Sequence, residues 1–128
     1  MKYYFSKTLQ IPFNSAIEKV TEELKKEGFG IMTEIDVKEA LKKKLDVDFR
    51  RYRILGACNP SFAYKALQIE DKIGTMLPCN VIVQELPDGK VEVAAIDPVA
   101  SMQAIENPAL KAVAEQVREM LKKIVDSL

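Results

Sequence analysis

Between residues 78 and 96 the chain reads PCNVIVQELPDGKVEVAAI, two β-rich runs on either side of a turn that contains Asp88-Gly89. Asp-Gly between alternating apolar runs is a strong short-range signal for a β-hairpin, so two antiparallel neighbours follow directly. The hairpin also shows how its sheet is used. Cys79, Val81 and Val83 share one side of the pleat, Asn80 stands on the other, and Gln84 and Glu92 are polar at alternate positions. A sheet buried on both faces would be apolar nearly throughout. One face therefore belongs to a core, and the other is either wet or covered by a partner.

The remaining segments supply helices and further strands. KYYFSKTLQI is aromatic-rich with rough alternation and polar Ser6, Thr8 and Gln10, which reads as a strand. In PFNSAIEKVTEELKKEG the residues Phe13, Ile17, Val20 and Leu24 recur at helical spacing, Ser15 and Glu18 fit a capping box, and Gly28 sits where a helix stops. FGIMTEI follows as a strand with Phe29, Ile31 and Ile35 at even steps, and Asp36 with Glu39 starts a short helix, VKEALKKKL. RRYRILGAC reads as a strand with Arg51 and Arg53 on one face and Tyr52 and Ile54 on the other. Asn59-Pro60 opens a helix, SFAYKALQIE, and DKIGTML connects it to the hairpin. Asp97-Pro98 starts a helical turn. Asn107-Pro108 starts the last helix, with Leu110, Val113, Val117, Leu121 and Ile124 as its stripe.

The predicted order is β-α-β-α-β-α-β-β-α over one domain, residues 1–128, with no internal repeat and no linker. Crossover units combined with a hairpin place it as α+β, or a mixed α/β two-layer sandwich, with helices on one face of the sheet. The open second face points to a homodimer.

Composition excludes more than it identifies. Nineteen basic residues balance nineteen acidic ones, so no net charge draws the chain toward nucleic acid or an anionic membrane. The N-terminal segment lacks the continuous apolar core of a signal peptide, and two cysteines are too few for a disulfide scaffold; together these suggest a reducing cytoplasm. The chain contains no histidine, which removes Ser-His-Asp and Cys-His catalysis and the commonest transition-metal ligand.

EGFGIMTEIDVKEALKKKLDVDFRRYRILGACNPSFAYKAL followed by IGTMLPCNVIVQE resembles the bacterial and archaeal domain-of-unknown-function family 302. The likeness runs from about Phe13 to Leu121 and rests on the order GFG, TEID, YRILGACNP, LPCNV. It implies a small α+β domain with a curved antiparallel sheet backed by helices, similar in shape to the TATA-binding-protein fold, and a tendency to dimerise. It points to no particular reaction and leaves the cofactor unknown.

Candidate site residues cluster around the two cysteines. If Asn59 caps the third helix, the Cys58 sulfur lies at that helix's N-terminus, where unpaired N–H groups and the dipole would lower its pKa and favour a nucleophilic or metal-binding thiolate. Free cysteines also sit commonly as small, inert core residues, and Cys79 shares its parity with Val81 and Val83. Asn80 stands on the opposite parity with no capping role to explain it. Asp36 and Asp97 both follow isoleucine at strand ends, and read either as helix caps or as paired carboxylates for acid–base work or a cation. No spacing matches a known metal-ligand motif.

Residues 38–53 hold seven Lys/Arg (38, 42, 43, 44, 50, 51, 53) against three Asp/Glu (39, 46, 48), a local net of +4. That is either an anion-binding patch or a solvated helix with cations at its C-terminal end.

Three readings of function follow. The first is a non-catalytic homodimeric module binding a small anionic or thiol-containing molecule in a cleft lined by Cys58, Asn59, Tyr64, Cys79 and Asn80. The second is a thiol-dependent enzyme or sulfur carrier with Cys58 as nucleophile. The third is nucleic-acid binding through Lys38–Arg53.

Overall fold

The computed structural model describes residues 2–128. Its elements run β1 (Tyr4–Leu9), α1 (Phe13–Lys26), β2 (Gly30–Asp36), α2 (Val37–Leu45), β3 (Tyr52–Cys58), α3 (Pro60–Ile69), a 3-10 turn (Asp71–Met76), β4 (Cys79–Glu85), β5 (Val91–Ile96), α4 (Pro98–Ser101) and α5 (Pro108–Asp126). The predicted order is therefore present, with Asp97-Pro98 realised as the short α4. The strands form one five-stranded sheet in the order β1-β5-β4-β3-β2, antiparallel throughout. The fold is α+β.

Alternation decides which side chains enter the core. Leu55 and Ala57 of β3, Val81 and Val83 of β4, and Val91, Val93 and Ala95 of β5 are all buried on one face. Phe13, Ala16, Val20 and Leu24 of α1 pack against them, together with Val117, Leu121 and Ile124 of α5. The α5 stripe departs from the sequence reading at one position. Ala114 takes the buried place, while Val113 lies half-buried against a second, smaller cluster around Ala66, Ile73 and Leu110.

Caps set where the helices begin and end. α1 starts at Phe13 behind Pro12, with no side-chain cap, so the Ser15–Glu18 capping box expected from the sequence does not form: both residues lie inside the helix. Its other end behaves as its glycine demands. Gly28 has φ +84°, its N–H bonds the Lys25 carbonyl, and the Phe29 N–H bonds the Leu24 carbonyl at 2.9 Å. This is a Schellman motif, and buried Phe29 and Leu24 supply its apolar contact. An alanine at Gly28 would hold an unfavourable left-handed conformation and bring its Cβ within 3.2 Å of the Asn59 amide nitrogen. Gly28→Ala is expected to cost ~1–2 kcal/mol, read as a fall of roughly 4–8 °C in the thermal midpoint.

β2 carries a feature that its even-step pattern conceals. Ile31 pairs with Ala57, but Thr33 pairs with Gly56, so a bulge at Met32 shifts the register by one. Every residue beyond it changes face. Ile35 therefore does not share the core side with Ile31, as expected, but stands beside Ile54 on the open face. Pairing continues Ile54 to Ile82 and Ile82 to Ala94, which makes one aliphatic row across four strands on the side away from the core.

Candidate functional site

The β3–β4 register places Ala57 opposite Cys79, so Cys58 is one residue along from the partner of Cys79 on the neighbouring strand. Where β3 ends, the chain turns through Asn59 into α3, and α5 and the loop after α4 close the space above. Cys58, Asn59 and Cys79 thereby line a single pocket of about 40 Å³. Its other walls are apolar, among them Phe29, Phe62, Leu77, Met102 and Val117. No Lys, Arg, Asp or Glu lines it.

The structure does not bring the whole expected constellation together. Tyr64 is 66% exposed on α3 and lies outside the pocket. Asn80 points to the open face of the sheet, where it borders a separate depression with Tyr4, Tyr52 and Gln84. Parity explains Asn80: it is adjacent to Cys79 in sequence and therefore opposite in direction. Helix rotation explains Tyr64, because Phe62, Ala63 and Ala66 take the inward face of α3. Sequence reasoning missed Met102. It lies in the loop after α4, where no periodic pattern indicates which side chains turn inward.

The electrostatics reverse one expectation. Both cysteines are free, with Cys79 buried and Cys58 half-buried. Burial pushes the Cys58 thiol above its ordinary value. Burial also pushes Cys79 up to about 11, with neighbouring Cys58 adding to the shift. The thiolate expected at the start of α3 is not favoured, because loss of hydration penalises the charged form. Asn59 occupies the N-cap position of α3 but makes no side-chain cap there; its amide instead donates to the Glu27 carbonyl at 3.2 Å. That bond ties the end of α1 to the start of α3.

A raised thiol pKa has a consequence for stability. Between the ordinary value of 9.0 and about 11 the folded chain keeps a proton on Cys79 that the unfolded chain loses. Stability is present below that interval and falls as pH rises through it. Denaturant midpoints measured from pH 8 to 11 are expected to decline, and to decline less steeply in Cys79→Ala once its lower starting stability is subtracted.

The acidic candidates are structural. Asp36 accepts from the Glu39 N–H at 3.0 Å and pairs with Arg53. Asp97 is buried, accepts from Val99 and Ala100, and holds Arg118 at 3.2 Å. Its carboxylate raises the Arg118 guanidinium above the ordinary value. With β3 and β4 between their strands, the two carboxylates form no pair. Among the described residues no group of three or more Cys, Asp and Glu side chains is placed to hold a metal.

The basic segment is largely neutralised by its own neighbours. Lys42 meets Asp46 and Asp48, Lys43 meets Glu39, and Arg53 meets Glu34 and Asp36. Lys38 donates to the Phe49 carbonyl, and Arg50 stacks over Phe49 while donating to Gln84. Asp46 closes α2 in the left-handed conformation that the lysine-rich end faces. The pattern fits a solvated helix and gives nucleic-acid binding no support. Among the described residues no helix is long and apolar enough to cross a membrane.

Comparison with known proteins agrees with the fold. The model of the family described as "Domain of unknown function DUF302" matches residues 5–128. The chain is also similar to a crystal structure of an uncharacterized conserved protein DUF302 from Bacillus stearothermophilus. The TM-score is 0.91, the sequences are 29% identical, and the match covers 98% of each chain. A search of curated proteins found no match.

Proposed function

We propose a binding role, rather than a thiol-catalysed reaction, for this chain, which belongs to the DUF302 family. The pocket between β3, β4, α3 and α5 takes a ligand, or the end of one, that is only a few atoms across and is either apolar or sulfur-bearing. One observation carries this reading: Cys58 and Cys79 converge on one apolar pocket of about 40 Å³ that no ionised side chain lines. A cavity of that size exceeds the ~10–15 Å³ needed for one water but falls well short of a drug-sized site. Its walls have no cation to match an anionic group, so the thiol-containing form of the ligand fits and the anionic form does not. A sulfur carrier would need an accessible, acidic thiol, whereas burial makes both thiols weaker acids.

Two measurements test it. Alkylation of the native chain by N-ethylmaleimide across pH, read by mass spectrometry, is expected to be slow at both cysteines and slower at Cys79. Fast labelling of Cys58 with a midpoint well below a free thiol would overturn the reading in favour of the carrier. Titration with dimethyl sulfide, a small sulfur-bearing probe, is expected to shift the methyl NMR signals of Ala57, Ala66 and Ala114. Unmoved signals would remove the pocket from consideration.

The row Ile35–Ile54–Ile82–Ala94 favours a second, compatible reading in which two copies pack their open sheet faces together. Burying such a row removes apolar area from water at about 25 cal/mol per Å². Sedimentation of the native chain is expected to give twice the chain mass. Ile82→Lys, at a partly exposed position of the row, is expected to give a monomer whose circular dichroism matches the native chain. A native chain that sediments as a monomer would overturn the dimer.

A further inference from the structure

The space around the cysteines does not end at them. A second depression, of about 270 Å³, lies where the 3-10 turn, the start of β4 and the end of α4 meet. It shares four wall residues with the inner pocket: Leu77, Pro78, Cys79 and Met102. We propose that one ligand spans both spaces and is a small uncharged amphiphile. Its tail is apolar or sulfur-bearing, and its head is a neutral hydrogen-bond donor, an alcohol or a primary amide. The inference rests on the binding role proposed above and names the rest of the same ligand.

Volume and polarity divide the ligand into two ends. The inner pocket of about 40 Å³ confines a tail of a few atoms, whereas the outer depression by itself approaches the ~300 Å³ at which small-molecule sites begin. The inner walls are apolar apart from the two thiols and Asn59, whose amide is engaged with the Glu27 carbonyl. The outer walls add Thr75, Asn80 and Ser101, and again no Lys, Arg, Asp or Glu lines them. An ionised head would leave water for a wall that holds no counter-charge, which costs far more than moving a neutral head.

The direction of the hydrogen bonds selects the head group. The Ser101 hydroxyl donates to the Pro98 carbonyl at 3.2 Å, and the Thr75 hydroxyl donates to the Lys72 carbonyl at 2.9 Å. A hydroxyl has one proton and two lone pairs, so both oxygens have only acceptor capacity left. They meet an O–H or N–H and repel the lone pairs of a carboxylate or phosphate. Asn80, exposed at the same depression, carries both a carbonyl and an NH2 group and so complements an alcohol or an amide. This gives a role to an asparagine that caps no helix.

The test is a methyl NMR titration of the full-length chain with three probes that share a sulfur-bearing tail: dimethyl sulfide, methylthiopropanol and methylthiopropanoate. The methyls of Ala57 and Ala114 report the inner pocket, and those of Thr75 and Met76 report the outer depression. The alcohol is expected to move both sets along a single saturation curve. At neutral pH it should bind at least about 10-fold more tightly than the carboxylate. Dimethyl sulfide, which has no head, is expected to move the inner set alone. Ser101→Ala and Thr75→Val are each expected to weaken the alcohol roughly 2–10-fold, the worth of one hydrogen bond. Both should leave dimethyl sulfide binding unchanged, which also shows that each variant folds. An alcohol that moves one set only, a carboxylate that binds as tightly, or an unchanged alcohol affinity when both hydroxyls are removed would overturn the proposal. If dimethyl sulfide still moves the inner set in those cases, the binding role stands and the spanning ligand alone is refuted. If no probe moves the inner set, both are refuted.

Discussion

Leu24→Ala is expected to lower the stability of the chain by about 2–5 kcal/mol. Leu24 is fully buried, and it links the core, the end of α1 and, through Phe29, the pocket wall. Its side chain belongs to the main core between α1, α5 and the sheet. Its carbonyl accepts the Phe29 N–H that closes the Schellman motif. Phe29 in turn forms part of the pocket wall. Truncation removes the transfer free energy of three carbons and leaves a cavity that α1 cannot collapse into, because Gly28 and Asn59 hold its end. For a chain this size the thermal midpoint should fall by roughly 10 °C or more. Thermal denaturation with matched heating rates checks it, and a fall under about 3 °C would mean that the site relaxes freely.

Gly56→Ala is the second large effect. Gly56 lies in the interior of β3, a place where glycine ordinarily weakens a strand. Its use here is to leave room. A Cβ on Gly56 would run into the Thr33 hydroxyl and come within 2.7 Å of Pro78 Cγ. Thr33 faces Gly56 only because of the bulge in β2, and Pro78 immediately precedes Cys79. Both strands flanking β3 would have to move, at a cost of about 1–3 kcal/mol. The two obstacles differ. The threonine side chain can rotate, whereas a proline ring cannot. A Thr33→Ala partner substitution is therefore expected to recover part of the loss but not all of it, as a double-mutant cycle in denaturant would report. Full recovery would assign the whole clash to Thr33. Because Pro78 and Cys79 are shared with the pocket, Gly56→Ala should also change the rate at which Cys79 is alkylated.

Much of this protein was legible without coordinates, for local reasons. Helix periodicity in Phe13, Val20 and Leu24, the stop at Gly28, and the hairpin at Asp88-Gly89 depend only on residues close in sequence. So does the placing of Asp36 and Asn107 as helix caps, and both accept the expected N–H groups. Whether Cys58 and Cys79 come near each other is not legible in this way: each precedes an asparagine near a strand end, but only the pairing of β3 with β4 brings their positions together. The long-range details were not legible. Ser15 looked like a cap because nothing local says that the helix begins at Phe13. Asn59 looked like another, and only the approach of α1 offers its amide the Glu27 carbonyl instead.

Residues close along the chain set the order of elements, the α+β class, and a sheet with one face in the core, because alternation and helical spacing are properties of neighbours. Tertiary structure decided the rest. Loss of hydration, partial at Cys58 and nearly complete at Cys79, pushed both thiols above their ordinary values. The bulge at Met32 moved Ile35 to the open face and assembled the row with Ile54 and Ile82. The packing of α3 and α5 over the strand ends made Met102 part of the wall of the same pocket as the cysteines. Each depends on groups far apart along the chain, and distance through space is what a linear pattern does not encode.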